Sequence, residues 1–215
     1  MRKLYNKQLK ELRQELVIMG AMCEEAINCA IQGLIENNDD LRKKTFEMEK
    51  EISLKEREIE NVCLRLMLRE QPVASDFRFI TASQKMANSM YRIGDQTADI
   101  ALLFEEINVE QRAFVYEYIC KMVAVCSKML LEAVDSLVHN DIAKAKEVIA
   151  TDDVVDNYFL DIKKELVGQI LKDSVSGETW LDILMIAKHL ERIGDHAKNI
   201  AKSVVYLLKQ GSSQR

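Results

Sequence analysis

The chain has 215 residues with one proline and seven glycines, and 48% of its residues are hydrophobic, enough to bury a core in one domain or two small ones and too poor in turn-formers for a β fold. Acidic residues outnumber basic ones 35 to 30, a formal charge of −5, so no electrostatic footprint for a phosphate backbone is present and nucleic acid is excluded as a partner. No run of about 18 uncharged apolar residues occurs, and the N-terminal MRKLYNKQLKELRQEL is charged throughout, so neither a membrane span nor a secretory leader is expected and the protein is expected in the cytoplasm.

The apolar stripe Leu9, Leu12, Leu16, Met19, Cys23, Ala26, Ala30, Leu34 steps by threes and fours and predicts a long first helix ending at Asn37, Asn38 and Asp39. A second helix is expected with Asp39 as N-cap, through Phe46, Ile52, Ile59 and Leu66 to a break at Pro72. Ser75 is expected to cap a third, running to about Ile107. Val115, Tyr118, Met122, Val125, Met129, Ala133 and Leu137 mark a fourth. A turn at Asn140-Asp141 leads to the fifth, and Asp173 to Gly177 separates it from a sixth that ends near Leu208. Six helices of roughly 30 residues would each be about 45 Å long.

The plan is duplicated. Met19, Cys23, Leu34, Glu49 and Ile52 recur 103 residues on as Met122, Cys126, Leu137, Asp152 and Val155, and Arg92-Ile93-Gly94-Asp95 recurs as Arg192-Ile193-Gly194-Asp195. The fold expected is all-α, two tandem, sequence-related three-helix bundles over residues 1–108 and 109–215. The five cysteines form no C-x-x-C pair and sit among apolar residues, as small buried hydrophobes in a reducing compartment do.

Residues four apart on a helix share a face, which aligns Asp95 with Asp99, Asp152 with Asp156, and Glu191 with Asp195 and Asn199; Glu49 joins from the second helix, with Ser53 where the repeat has Asp156. An all-oxygen cluster of like charges demands a cation, and a hard metal such as Mg, Ca or Mn suits it. The alternative is that the same acids pair with Arg92, Arg192, Lys188 and Lys202 along solvated helix faces. Gly94 and Gly194, each costing about 1 kcal/mol inside a helix relative to Ala, mark either a close helix crossing or a ligand at the backbone. None of the three histidines lies three residues after a Glu, so the ligands of ferritin-like di-iron proteins are missing; His196 follows Asp195 and either reaches the acidic cluster from the side or stands at the surface, the surface being the favoured reading. No phosphate loop, nucleophile elbow or catalytic Cys/His spacing occurs, so no catalytic residue is assigned.

Gln71-Pro72-Val73-Ala74-Ser75-Asp76-Phe77-Arg78, followed by Arg-Ile-Gly-Asp at 92 to 95 and by Glu-Arg-Ile-Gly-Asp-His-Ala-Lys-Asn-Ile at 191 to 200, resembles the signature of the PhoU family across nearly the whole chain. The resemblance implies paired acidic motifs that hold metal ions, iron or zinc in some members. It implies a negative regulator of phosphate uptake and of the phosphate-starvation response, linking the ATP-binding subunit of a phosphate ABC transporter to a phosphate-sensing histidine kinase. It also implies a homodimer that meets the membrane only through its partners. Carried over by position, the metal residues are Asp152, Asp156, Glu191, Asp195 and Asn199 in the second repeat and Glu49, Asp95 and Asp99 in the first. The first departs from the motif, with Tyr91 in place of Glu and Ser53 in place of an acid or amide, so the second site is expected to be the tighter. A metal-dependent phosphohydrolase or a metal-storage protein using the same carboxylates is the competing reading.

Overall fold

The computed structural model describes residues 2–70, 72–103, 109–172 and 175–212. They form six helices and, among the described residues, no strand. α1 spans Arg2–Glu36, α2 Asp39–Glu70 and α3 Ala74–Leu102. α4 runs from Val109–Phe114 through a π-helical stretch, Val115–Ile119, into Cys120–His139; α5 is Ile142–Lys172 and α6 Gly177–Ser212. The expected boundary at Asn108 lies outside the described residues, as do Gln71 and Asp173.

Two helix ends are built alike. Asn37 and Asn140 adopt left-handed backbone, with φ of 52° and 53°, and the next amide reaches back at 2.9 Å, Asn38 N to Gly33 O and Asp141 N to Ser136 O. An amide side chain tolerates that conformation better than most residues, and the returning bond satisfies a carbonyl left over at the helix end. The same residues start the next helix. Asn38 Oδ1 accepts from the amides of Asp40 and Leu41 at 3.0 and 3.3 Å, and Asp141 Oδ1 from those of Ala143 and Lys144 at 2.9 and 3.0 Å.

Three expectations about helix ends need correction. The cap of α2 is Asn38, one residue before Asp39, because the cap must stand outside the helix with its oxygen turned onto the first free amides. Ser75 does not cap α3: the helix starts at Ala74 after Val73, without a side-chain cap, and the Ser75 hydroxyl turns to Asp76 at 3.4 Å. α6 extends past Leu208 to Ser212; the described part of α3 runs to Leu102, with the Leu103 amide donating to Ile100 O at 3.1 Å, and the end expected near Ile107 lies outside the described residues.

α1, α2 and α3 pack as one bundle and α4, α5 and α6 as a second, joined along α3 against α6 and α1 against α4. The two cores repeat residue for residue. Leu16, Met19, Cys23, Ile27, Ile52 and Ile59 are fully buried, and so are Ile119, Met122, Cys126, Leu130, Val155 and Ile162 at the matching positions; each such side chain contributes about 1.5–3 kcal/mol through burial. The glycines of the duplicated motif are crossing points. A Cβ on Gly94 would lie 3.1 Å from Ile52 Cγ2, and one on Gly194 the same distance from Val155 Cγ1, so close helix packing accounts for both. Gly20 does the same between bundles, where a Cβ would stand 2.9 Å from Val134 Cγ2. Nearby, the Arg13 guanidinium donates to the carbonyl of Leu137 at the end of α4 and lies over the Phe79 ring, tying the bundles together. Among the described residues no helix is long and apolar enough to cross a membrane.

Candidate metal centre

In the second half, the crossing of α5 and α6 at Val155 and Gly194 sets the acids side by side. Asp152 is buried, with 2% of its surface exposed, and Lys198 donates to its Oδ2. Asp156 stands one turn on; loss of water and then the charges of Asp152 and Asp195 push its carboxyl above the usual range. The bond to Asp152, reinforced by the charges of Asp195 and Asp156, pushes the Lys198 ammonium pKa up, so Lys198 stays charged among three carboxylates. Glu191 is half-buried and lies 2.5 Å from Lys188 Nζ, which also sits over the Phe159 ring.

The first half is arranged differently. Burial, followed by the charge of Asp95, pushes the Glu49 carboxyl up, which places these two acids within each other's field. Asp95 pairs with Arg92 at 3.0 Å. Tyr91 bonds to Asp95 through its phenol, and the charge of Asp95 is the leading reason that the phenol holds its proton more tightly than usual. A neutral donor thus serves Asp95 where the motif has a third acid.

Asp99 and Asn199 do not join these groups. Each four-residue step turns about 40° round a helix axis, and the last member of each stripe has rotated away from the crossing. Asp99 reaches across the seam to His189, Oδ2 to Nδ1 at 3.6 Å, beside a 2.9 Å contact between His189 Nδ1 and Gln96 Oε1. Asn199 lines an inter-bundle cleft of about 660 Å³ with Glu56, Lys85, Lys202 and Tyr206. His196 is half-buried at the seam, a correction to its reading as a surface residue: burial pushes its imidazole pKa down, with Asp195, Arg92, Asp95 and Arg192 all within its field. The two Arg-Ile-Gly-Asp motifs therefore face one another around this ring, a meeting that only the antiparallel seam creates.

The cysteines are free thiols, four of them buried. Cys23 Sγ donates to Met90 O and Cys126 Sγ to Leu190 O, both at 3.3 Å, and burial pushes the Cys126 thiol up to about 12. Cys23 and Cys126 are core residues with a hydrogen bond each, unsuited to act as thiolate ligands.

Both halves match the family model of the PhoU domain, at residues 16–103 and 119–204. The chain belongs to the PhoU family. It is 32% identical to the phosphate-specific transport system accessory protein PhoU homologue of Pseudomonas aeruginosa over 206 residues, covering 95% of this chain and 85% of that one. It is 28% identical to phosphate-specific transport system accessory protein PhoU of Escherichia coli over 205 residues, with the same two coverages, 95% and 85%. The crystal structure of PhoU from Pseudomonas aeruginosa superposes with a TM-score of 0.88 at 31% identity, covering 96% of this chain and 99% of that one; that of PhoU from Streptococcus pneumoniae does so with 0.87 at 26% identity, covering 96% and 97%.

Within this PhoU fold Asp152, Glu191 and Asp95 each pair with a basic side chain. Among the described residues, no three His, Cys, Asp or Glu side chains converge as a metal-holding group. The second-half acids hold lysines instead, and the leading one, Lys198, was not among the partners that sequence spacing singled out. The signal was present: Lys198 follows Asp195 by three residues, on the same face. What the sequence did not carry was which neighbour of the stripe would turn inward to the buried Asp152.

Proposed function

We propose that this chain is a regulatory accessory protein of phosphate uptake that acts by docking and not by turnover. The observation that carries the reading is the match to two PhoU domains over both halves, together with relatives named as accessory proteins of the phosphate-specific transport system. In this reading the partners are the ATP-binding subunit of a phosphate ABC transporter and a phosphate-sensing histidine kinase. The chain works in the cytoplasm as a homodimer and keeps the starvation response off while phosphate is plentiful. Metal, iron or zinc first, enters as a modulator of docking at the acids of the first half, Glu49 and Asp95, where no lysine stands at the position of Lys198. Support for a docking role comes from the long helical faces: Val17, Ile18, Leu131 and Val138 leave apolar surface exposed along α1 and α4.

Deletion of the gene, with phosphate-scavenging genes followed by a transcriptional reporter in phosphate-rich medium, tests the proposal. Derepression in the deletion strain, reversed by the wild-type chain, is the outcome expected. Expression that stays at the repressed level would remove the regulatory reading.

A further inference from the structure

We propose that Lys198 determines the cation preference of the second half, its ammonium serving as the built-in counter-ion of Asp152, Asp156 and Asp195 in place of a metal ion. The inference rests on reading these acids as the family's metal residues, and it inverts the ranking that a count of carboxylates gives.

Three observations carry it. Asp152 is 2% exposed, and an ionised carboxylate at that depth is strongly disfavoured without a positive partner. The partner it has is Lys198, in direct contact and itself three-quarters shielded, with 25% of its side chain exposed. Lys198 also lies three residues after Asp195, on the face that α6 turns toward α5. At the matching place in the first half stands Ala98, and Ser53 stands where the second half has Asp156, so the first half lacks both the internal ammonium and the third acid that the ammonium balances. An ammonium and a divalent ion neutralise the same carboxylate oxygens. A tethered one is always present at its site, whereas a metal must displace it and leave Lys198 without a partner.

The test has two arms. In metal-free buffer with chelator, Lys198→Met keeps the length of the side chain and removes its charge, and is expected to lower Tm by roughly 5–10 °C; adding Asp152→Asn in the same chain is expected to recover at least about half of that loss. A double variant that melts no higher than Lys198→Met overturns the inference. The second arm uses a chain whose first-half acids are silenced by Glu49→Gln and Asp95→Asn, and measures Mn²⁺ bound per chain by equilibrium dialysis. Lys198→Met in that background is expected to bind Mn²⁺ at least about tenfold more tightly than its Lys198 parent. Equal Mn²⁺ affinity with and without Lys198 overturns the inference. If the melting arm holds and neither chain binds Mn²⁺, the counter-ion role of Lys198 stands and the reading of these acids as metal residues falls.

Discussion

Ile52 against Gly94 and Val155 against Gly194 make the same helix crossing, each with a closest approach of 3.1 Å to where a Cβ would stand. A few residues along, the halves part: Tyr91, Ser53 and Ala98 occupy the positions of Glu191, Asp156 and Lys198. Packing at the crossing tolerates a methyl group at most, because interiors are as dense as organic crystals and a misfit has nowhere to go. Charges at the rim meet water on one side and are rebalanced by a single substitution on either helix. A duplicated fold therefore holds its crossings and diverges in its ion pairs, and here the divergence has given the second half an internal cation and left the first with a phenol and an arginine.

Outside the acid cluster, the largest expected effect tests the shared part. Gly94→Leu and Gly194→Leu should each destabilise by about 2 kcal/mol or more, through overpacking against Ile52 or Val155 that outweighs the gain in helix propensity. In thermal melts that is a drop of roughly 4–8 °C. Losses that differ by more than about 1 kcal/mol between the two would break the equivalence of the crossings.

A middle-sized effect sharpens it. Asn37→Ala and Asn140→Ala place an ordinary side chain at positive φ and should each cost about 1 kcal/mol in chemical denaturation, while Gly at either position should be close to neutral. A loss at one turn without the other would show that the halves lean on different turns.

The smallest effect lies where the halves differ. The Lys144 ammonium, donating to Asp135, holds that carboxyl below its ordinary range, with His139 adding to the pull; the first half has Gln32 and Leu41 at these places. A carboxyl whose folded pKa is depressed stabilises the fold above its unfolded pKa of about 3.9 and loses that contribution as pH falls through the folded value. Asp135→Asn should therefore lower Tm slightly at pH 7 and not at all at pH well below the folded pKa. An unchanged difference across that range would rule out the ion pair as its source. Both groups are largely in water, so the effect is expected to fade with added salt.

The sequence by itself determined the six helices, the duplication and the core. The reason is physical: a buried stripe must repeat at 3.6 residues to face one way, and Leu16 with Ile119 or Ile59 with Ile162 can be paired by counting. It also carried the family, through the segment from Gln71 to Arg78 followed in order by the two Arg-Ile-Gly-Asp motifs. Helix ends were less legible, since Asn38, Asp39 and Ser75 all have cap chemistry and only backbone direction selects which oxygen meets the free amides. Tertiary structure alone decided where the acids went. Asp95 and Asp99 share a stripe in sequence, yet one faces α2 and the other meets His189 across the seam, because 40° of rotation per four residues is enough to change neighbours when two bundles press on one helix. It also chose Lys198 over Lys202 and Arg192 as the partner of Asp152, since which cation reaches a buried carboxylate depends on the direction from which the crossing helix arrives.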